Sequence, residues 1–420
     1  IDAVAAIDWP KDKFEIQVLD DSTDDSFELA VEKISYYQKL GFNIRHIHRT
    51  DRKGFKAGAL AHGLEMAQGE FIAIFDADFV PKPDFLKKTI PHFSDDNTAV
   101  VQTRWGHLNK EYSLLTKLQA FGLDTHFLVE QPGRKEGGYF LNFNGTAGIW
   151  RKKAIVDAGG WKADTLTEDL DLSYRAQLKG WKIEFLPHVV APAELPMAMP
   201  AVKSQQFRWT KGAAETSRIL LAKLWKSALP ISTKIHGSYH LLNSTIFICI
   251  VLTAVLSMPI LWIRNHSEQW TTLIQWSTFF LLGYFFLILF YWAGFRKIHG
   301  SGVRVFIKFM PRMFMLLSIF LGLSVHNAIA VTEGWIGKKS PFIRTPKFNI
   351  DNATSPSWRQ NLYLVRKLGL LTFIEGFLAI YFGFGLYMAF RFNDFALFPF
   401  HILLTLGFFL VFYFSINHRK

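Results

Sequence analysis

Phe71-Ile72-Ala73-Ile74-Phe75-Asp76-Ala77-Asp78 decides the fold: a strand-length apolar run leads directly into two carboxylates one residue apart. So short a run, with Pro81 just beyond it, reads as a buried strand rather than a helix. The runs Phe14 to Leu19, Asn43 to His48 and Ala99 to Gln102 have the same character, with helical periodicity between them. Residues 1 to 190 therefore read as an α/β domain built on a parallel sheet. Ligands of such sheets gather at the carboxyl ends of the strands. Two of the runs end there in acid, the first in Asp20-Asp21 and the third in Asp76-Ala77-Asp78.

Beyond this half the composition changes. Half of the 420 residues are hydrophobic and 41 are Phe, which is heavy for a soluble chain. Residues 1 to 230 carry 30 basic and 30 acidic side chains, whereas residues 231 to 420 carry 17 and 5, so the whole net charge of +12 lies in the second part. That charge flanks long apolar runs rather than a polar module, which favours a bilayer as partner and excludes nucleic acid. The lone Cys249 excludes a disulfide framework and a multi-cysteine metal site. Runs at about 240–263, 272–293, 369–390 and 396–416 are each long enough to span. A fifth stretch, about 303–333, carries Arg304, Lys308 and Arg312. If it crossed, the loop 334–368 with its seven Lys and Arg would fall outside, so it is placed in the interface. The expected organisation is a catalytic domain over 1–196, amphipathic interfacial helices over 197–235 and a four-span membrane domain over 236–420.

Several clusters carry chemistry, each with a plainer reading. Asp76 and Asp78 offer hard oxygen ligands for Mg²⁺ or Mn²⁺ against a diphosphate, or form a solvated turn before Pro81. Asp20-Asp21-Ser22-Thr23-Asp24 can accept from a base or ribose, or cap the helix starting near Asp25. Lys56 in Lys53-Gly54-Phe55-Lys56-Ala57-Gly58 can meet phosphate at a helix start, or the glycines are turn formers. Thr167-Glu168-Asp169 supplies a general base or a helix cap. Gln205-Gln206-Phe207-Arg208-Trp209 can bind a diphosphate and stack a sugar, and also suits a membrane-surface helix. Glu375, deep in an apolar run, lines a channel or packs between helices.

Taken in order, Asp20-Asp21, Asp76-x-Asp78, Thr167-Glu168-Asp169 and Gln205-x-x-Arg208-Trp209, followed by membrane spans, resemble the motif series of processive family 2 glycosyltransferases, the cellulose synthase superfamily. The resemblance implies a GT-A (Rossmann-like) domain, interfacial helices and a transmembrane bundle. It also implies inverting transfer of hexosyl units from a nucleotide sugar, UDP-glucose or GDP-mannose, to a growing β-linked polysaccharide acceptor. Asp20 or Asp21 would contact the base, and Asp76 and Asp78 the nucleotide and a Mg²⁺ or Mn²⁺ ion. Asp169, beside Glu168, would be the catalytic base, and Gln205, Arg208 and Trp209 would hold diphosphate and acceptor.

Phe342-Ile343-Arg344-Thr345-Pro346-Lys347, within a loop at about 338–348, resembles the family's gating loop, with Phe342, Thr345 and Lys347 matching and Arg344 replacing the usual Val. Phe143-Asn144-Gly145-Thr146 and Gln206 depart from bacterial cellulose synthases towards the plant glucomannan and xyloglucan-backbone synthases and their bacterial relatives. Regulation through the cyclic-dinucleotide-binding barrel of bacterial cellulose synthases is not expected, since little sequence follows the last span. Ile1 to Asp8 reads as the helix after a first strand, so the chain is expected to lack that strand and to be weakly active or inactive. The expected location is a multi-pass membrane protein with a cytoplasmic catalytic domain, in a bacterial inner membrane or the Golgi. Transfer of one sugar to a lipid carrier and a non-catalytic scaffold are the competing readings.

Overall fold

The computed structural model describes residues 1–267, 282–340, 343 and 369–418. They form two compact units that interleave along the chain. The first comprises Ile1–Leu108, Gln131–Glu194 and Glu215–Leu242, and the second Asn109–Glu130, Leu195–Ala214 and Asn243–Lys420. Asn109–Glu130 leaves the α/β unit, and Glu215–Leu242 returns to it after Leu195–Ala214. In the second unit Phe121 packs on Tyr291, Phe295 and Phe309.

The first unit opens with a one-turn helix, Asp2–Ala5, and a parallel strand pair, β1 (Ile16–Asp20) and β2 (Ile44–His48), joined through helix Ser26–Lys39. Ala5, Ile16, Ile34 and Ile44 form the core beneath this pair. A second sheet holds β3 (Phe71–Ile74), β4 (Thr98–His107), β5 (Gly148–Arg151) and β6 (Lys182–Ala193) in the order β3-β5-β4-β6. β4 and β6 are parallel, but β5 runs antiparallel to both β3 and β4. The sheet is therefore mixed rather than parallel. The reversal comes from the turn before β5, where Gly145 and Ala147 both have positive φ. Ala147 then donates its N–H to Ile74 O and accepts from Thr103 N–H, seating β5 between β3 and β4. Every β5 side chain is buried, and its four residues are too few to betray a strand by pattern.

Among the described residues, four helical stretches are long and apolar enough to cross a membrane: Ile231–His266, Val303–Gly322, Leu370–Phe392 and Phe398–Asn417. Three of them cover all or nearly all of the runs at 240–263, 369–390 and 396–416. The run at 272–293 is described only from Leu282, within helix Leu282–His299. Residues 303–333 form two helices, Val303–Gly322 and Ser324–Ile336, which meet at Leu323. Length and composition class the first with the helices able to cross, whereas the charge argument lays it in the interface. Phe309, Met313 and Leu316, at i, i+4 and i+7, enter a core shared with Val411. A Cβ on Gly322 would lie 2.2 Å from Gly407 O, and one on Gly407 2.0 Å from Ser318 O. These two helices thus meet backbone to backbone, which only glycine permits at those positions.

Candidate active site

The carboxylates after β3 sit in a tight turn. Phe79 N–H donates to Asp76 O at 2.9 Å, and Val80 N–H to Pro192 O at 2.9 Å. Buried Phe79 anchors this turn in the core, so Asp76 and Asp78 are presented together at the strand end. Asp76 N–H donates to Thr146 Oγ1 at 2.8 Å, and Lys56 Nζ donates to Asp76 Oδ1 at 2.5 Å and to Gly145 O at 2.9 Å. Lys56 is the second residue of helix Phe55–Met66, whose N-cap Gly54 has φ 73°. A Cβ on Gly58 would lie 2.0 Å from Lys53 O, so this glycine answers a close backbone approach that fixes the start of the helix.

Gly145, at φ +81°, brings in the third carboxylate: a Cβ there would lie 2.9 Å from Asp169 Oδ2 and 3.6 Å from Lys56 Nζ. Asp169 is near the start of helix Glu168–Leu178, where Thr167 takes the cap position without a side-chain cap bond. Asp169 Oδ1 accepts from Leu170 N–H at 2.8 Å. Asp169, Ser173 and Gln177 share one helix face at i, i+4 and i+8. Ser173 Oγ donates to Asp169 O and accepts from Phe143 N–H, while Gln177 exchanges two hydrogen bonds with the Leu141 backbone. The helix is thereby zipped to the segment that ends in Gly145. Buried Gln102 secures the other side of that segment, accepting from Asn144 N–H and donating to the carbonyls of Thr146 and Ala147.

One cation therefore faces several anions. Burial works against the Lys56 charge, but Asp76, Glu168 and Asp169 together outweigh it and raise its pKa above the ordinary lysine value. Lys56 stays charged across the physiological range, and the surrounding acid is in excess. The Asp76–Asp78 pair, two hard oxygen donors in one tight turn, fits Mg²⁺ or Mn²⁺.

Asp20 and Asp21 are not helix caps. Asp24 Oδ1 instead accepts from Ser26 N–H at 3.1 Å at the start of helix Ser26–Lys39. Asp21 is buried in a two-point ion pair with Arg49, with Nε and Nη2 at 2.9 and 2.6 Å from its two oxygens. Arg49 also donates to Lys53 O and Phe55 O, tying the end of β1 to the Lys56 loop. Asp20 accepts from Ser22 N–H and Oγ at 2.8 and 2.5 Å, with His46 Nε2 3.0 Å from its other oxygen. Burial would raise the Asp20 pKa, but these partners overcome it and hold it below the usual carboxylate range.

Gln205, Arg208 and Trp209 lie on helix Met199–Lys226, in the part that belongs to the second unit. One turn further on, buried Lys211 donates to Glu333 Oε2 at 3.0 Å and to Ser340 Oγ. The same helix carries Lys203, which donates to Glu375 Oε2 at 2.6 Å and to Ser415 Oγ at 2.8 Å. Glu375 is fully buried in this pair. Phe342, Thr345 and Lys347 lie outside the described residues.

Sequence reasoning used Thr146 only as part of a subgroup motif and missed Gln102, Ser173 and Arg49. The Asn-Gly-Thr turn beside Phe143 was a usable signal. A buried glutamine, a helix-face serine and an arginine one strand away carry none without the register.

A family model described as "Glycosyltransferase like family 2" matches residues 1–212, just over half of the chain. The chain belongs to this family. Its α/β unit, with strand-end carboxylates beside a helix-borne acid, is of the GT-A type. The glucomannan 4-beta-mannosyltransferase 1 of Oryza sativa subsp. japonica is 42% identical over 276 residues, covering 62% of this chain and 53% of the relative. Probable glucomannan 4-beta-mannosyltransferase 7 of the same organism is 46% identical over 233 residues, covering 53% and 40%. The chain thus spans about half the length of the curated relatives it matches. Among solved structures, a mannosyltransferase from Pyrobaculum calidifontis in complex with GDP-Man and Mn²⁺ aligns with 80% of this chain and 82% of its own, at 15% identity and TM-score 0.48.

Proposed function

We propose that the protein is an inverting membrane glycosyltransferase that moves hexosyl units from a nucleotide sugar to a growing β-linked polysaccharide. The observation that carries this reading is the gathering of Lys56, Asp76 and Asp169 around Gly145 from three distant parts of the chain. The names of the curated relatives favour a mannosyl unit and a β-1,4 linkage, hence GDP-mannose ahead of UDP-glucose.

Asp169 takes the proton from the acceptor hydroxyl as that oxygen attacks the anomeric carbon. The bond from that carbon to the diphosphate breaks on the opposite face, so the configuration inverts and a nucleoside diphosphate leaves. A divalent cation bound by Asp76 and Asp78 would neutralise charge on the departing diphosphate. Lys56 fixes the orientation of Asp76, and its positive charge lies on the side where phosphate charge develops. Of the two adjacent acids, Asp21, held by Arg49, serves the base end of the donor. Arg208 supports the leaving group, and Gln205 and Trp209 the acceptor sugar. The catalytic unit faces the cytoplasm. Crossings at 240–263, 272–293, 369–390 and 396–416, with 303–333 in the interface, keep the basic segment 334–368 on that side.

The test is nucleoside diphosphate release by the protein in nanodiscs with Mn²⁺ or Mg²⁺, across GDP-mannose, UDP-glucose and UDP-N-acetylglucosamine. Release from GDP-mannose or UDP-glucose, with polymer digested by the matching β-glycanase, is expected. Release without polymer would move the assignment to a lipid-linked acceptor, and no release from any donor would favour a scaffold.

A further inference from the structure

The ends of β1 and β2 carry a second cluster of donors, chemically unlike the Asp76–Asp78 pair. In this parallel pair Asp20 lies opposite His48, and Val18 opposite His46. The two-residue period of a strand therefore puts both imidazoles and the Asp20 carboxylate on one face. Asp20 Oδ2 is 3.0 Å from His46 Nε2 and 3.8 Å from His48 Nδ1, and the three donor atoms lie within 4.8 Å of one another.

We propose that Asp20, His46 and His48 form a Zn²⁺ site with one position open to water or a ligand. Bonds of about 2.0 to 2.2 Å in a tetrahedron set neighbouring donors roughly 3.4 Å apart, and the two carboxylate–imidazole distances straddle that spacing. His48 Nδ1 is buried and makes no hydrogen bond among the described residues, so a ligating nitrogen would replace an unsatisfied one. Ser22 occupies Asp20 Oδ1 through both its N–H and its Oγ, which leaves Oδ2 for the metal. The Phe27 ring packs on both imidazoles, at centroid distances of 5.1 and 4.8 Å, and limits their rotation. Two imidazoles and one carboxylate select Zn²⁺ over Mg²⁺, whereas the all-oxygen pair after β3 has the opposite preference. The site is therefore separate from the catalytic cation and requires no donor nucleotide.

The experiment uses the whole chain in nanodiscs, stripped with a chelator and titrated with Co²⁺ as a spectroscopic probe. One equivalent should give the intense visible d–d bands of four-coordinate cobalt, bleached by Zn²⁺ and untouched by excess Mg²⁺. His48→Gln should weaken this binding by more than the roughly 10- to 100-fold typical of losing an outer-shell partner, and Ser22→Ala by about that amount. An Asp76→Asn/Asp78→Asn double variant should keep the bands. Wild-type protein without the bands would overturn the proposal, a result that does not depend on any variant folding. Bands that persist at full affinity in folded His48→Gln, or that vanish in the Asp76/Asp78 variant, would overturn it too.

Discussion

Two lysines in this protein show opposite uses of a charge. Lys56, in the α/β unit, faces Asp76, Glu168 and Asp169, and its Asp76 partner is 42% exposed. Lys203, in the helical unit, meets Glu375, which is 0% exposed. The first arrangement holds an excess of acid with Asp76 open to solvent, as a site that must receive a cation and a phosphorylated ligand requires. The second is neutralised one for one and sealed. A buried pair of this kind is weak evidence for function but strong evidence that neither partner can be removed alone. Where a charge stands in the balance of its neighbours therefore distinguishes site from scaffold better than depth alone.

Three substitutions can break or sharpen that contrast. The largest effect on stability is expected at the sealed pair, where Glu375→Gln should cost about 3 to 5 kcal/mol by leaving Lys203 buried without its counter-charge. A detergent-resistance melt would measure this, and combining it with Lys203→Met should recover most of the loss. Turnover per folded molecule should stay near the parent value, and a stable Glu375→Gln protein that synthesises but does not extrude would return Glu375 to a channel-lining role. Next, Lys56→Met should lower kcat/KM by about 100-fold with little change in melting temperature, because the charge serves the ligand rather than the fold. A large drop in melting temperature with normal kinetics would erase the distinction between the two lysines. The smallest effect is expected for Gly145→Ala, where left-handed backbone costs a non-glycine residue about 1 to 2 kcal/mol. The new methyl also presses on Asp169, so about 10-fold in kcat with donor affinity retained is expected, read by steady-state kinetics beside a binding titration.

The strands leading into Asp20-Asp21 and Asp76 were legible because an apolar run followed by acid is a local pattern. The antiparallel β5 was not, because four buried residues give no period and the reversal depends on positive φ at Gly145 and Ala147. The acids themselves were found from their types and order along the chain. What joined them was hidden: Ser173, Gln177 and Gln102 act through the Leu141–Ala147 segment, and no spacing connects Gln102 to Asn144 until the sheet aligns them. Arg49 was overlooked for a related reason, since only the β1–β2 register brings it beside Asp21. The reading of 303–333 as one interfacial helix weighed the flanking charge and missed Gly322 and Gly407, whose meaning lies in a helix contact.

The central claim is that Asp169 is the base that activates the acceptor. Asp169→Asn keeps the shape of the side chain and removes its basicity. The decisive measurement compares polymer synthesis by this variant and the parent, with donor dissociation constants determined on the same preparations. The account predicts turnover lower by about 10²- to 10⁴-fold with donor affinity within about 2-fold, since the base acts on acceptor rather than donor. Unchanged turnover, or a loss explained by failure to bind donor, would contradict it.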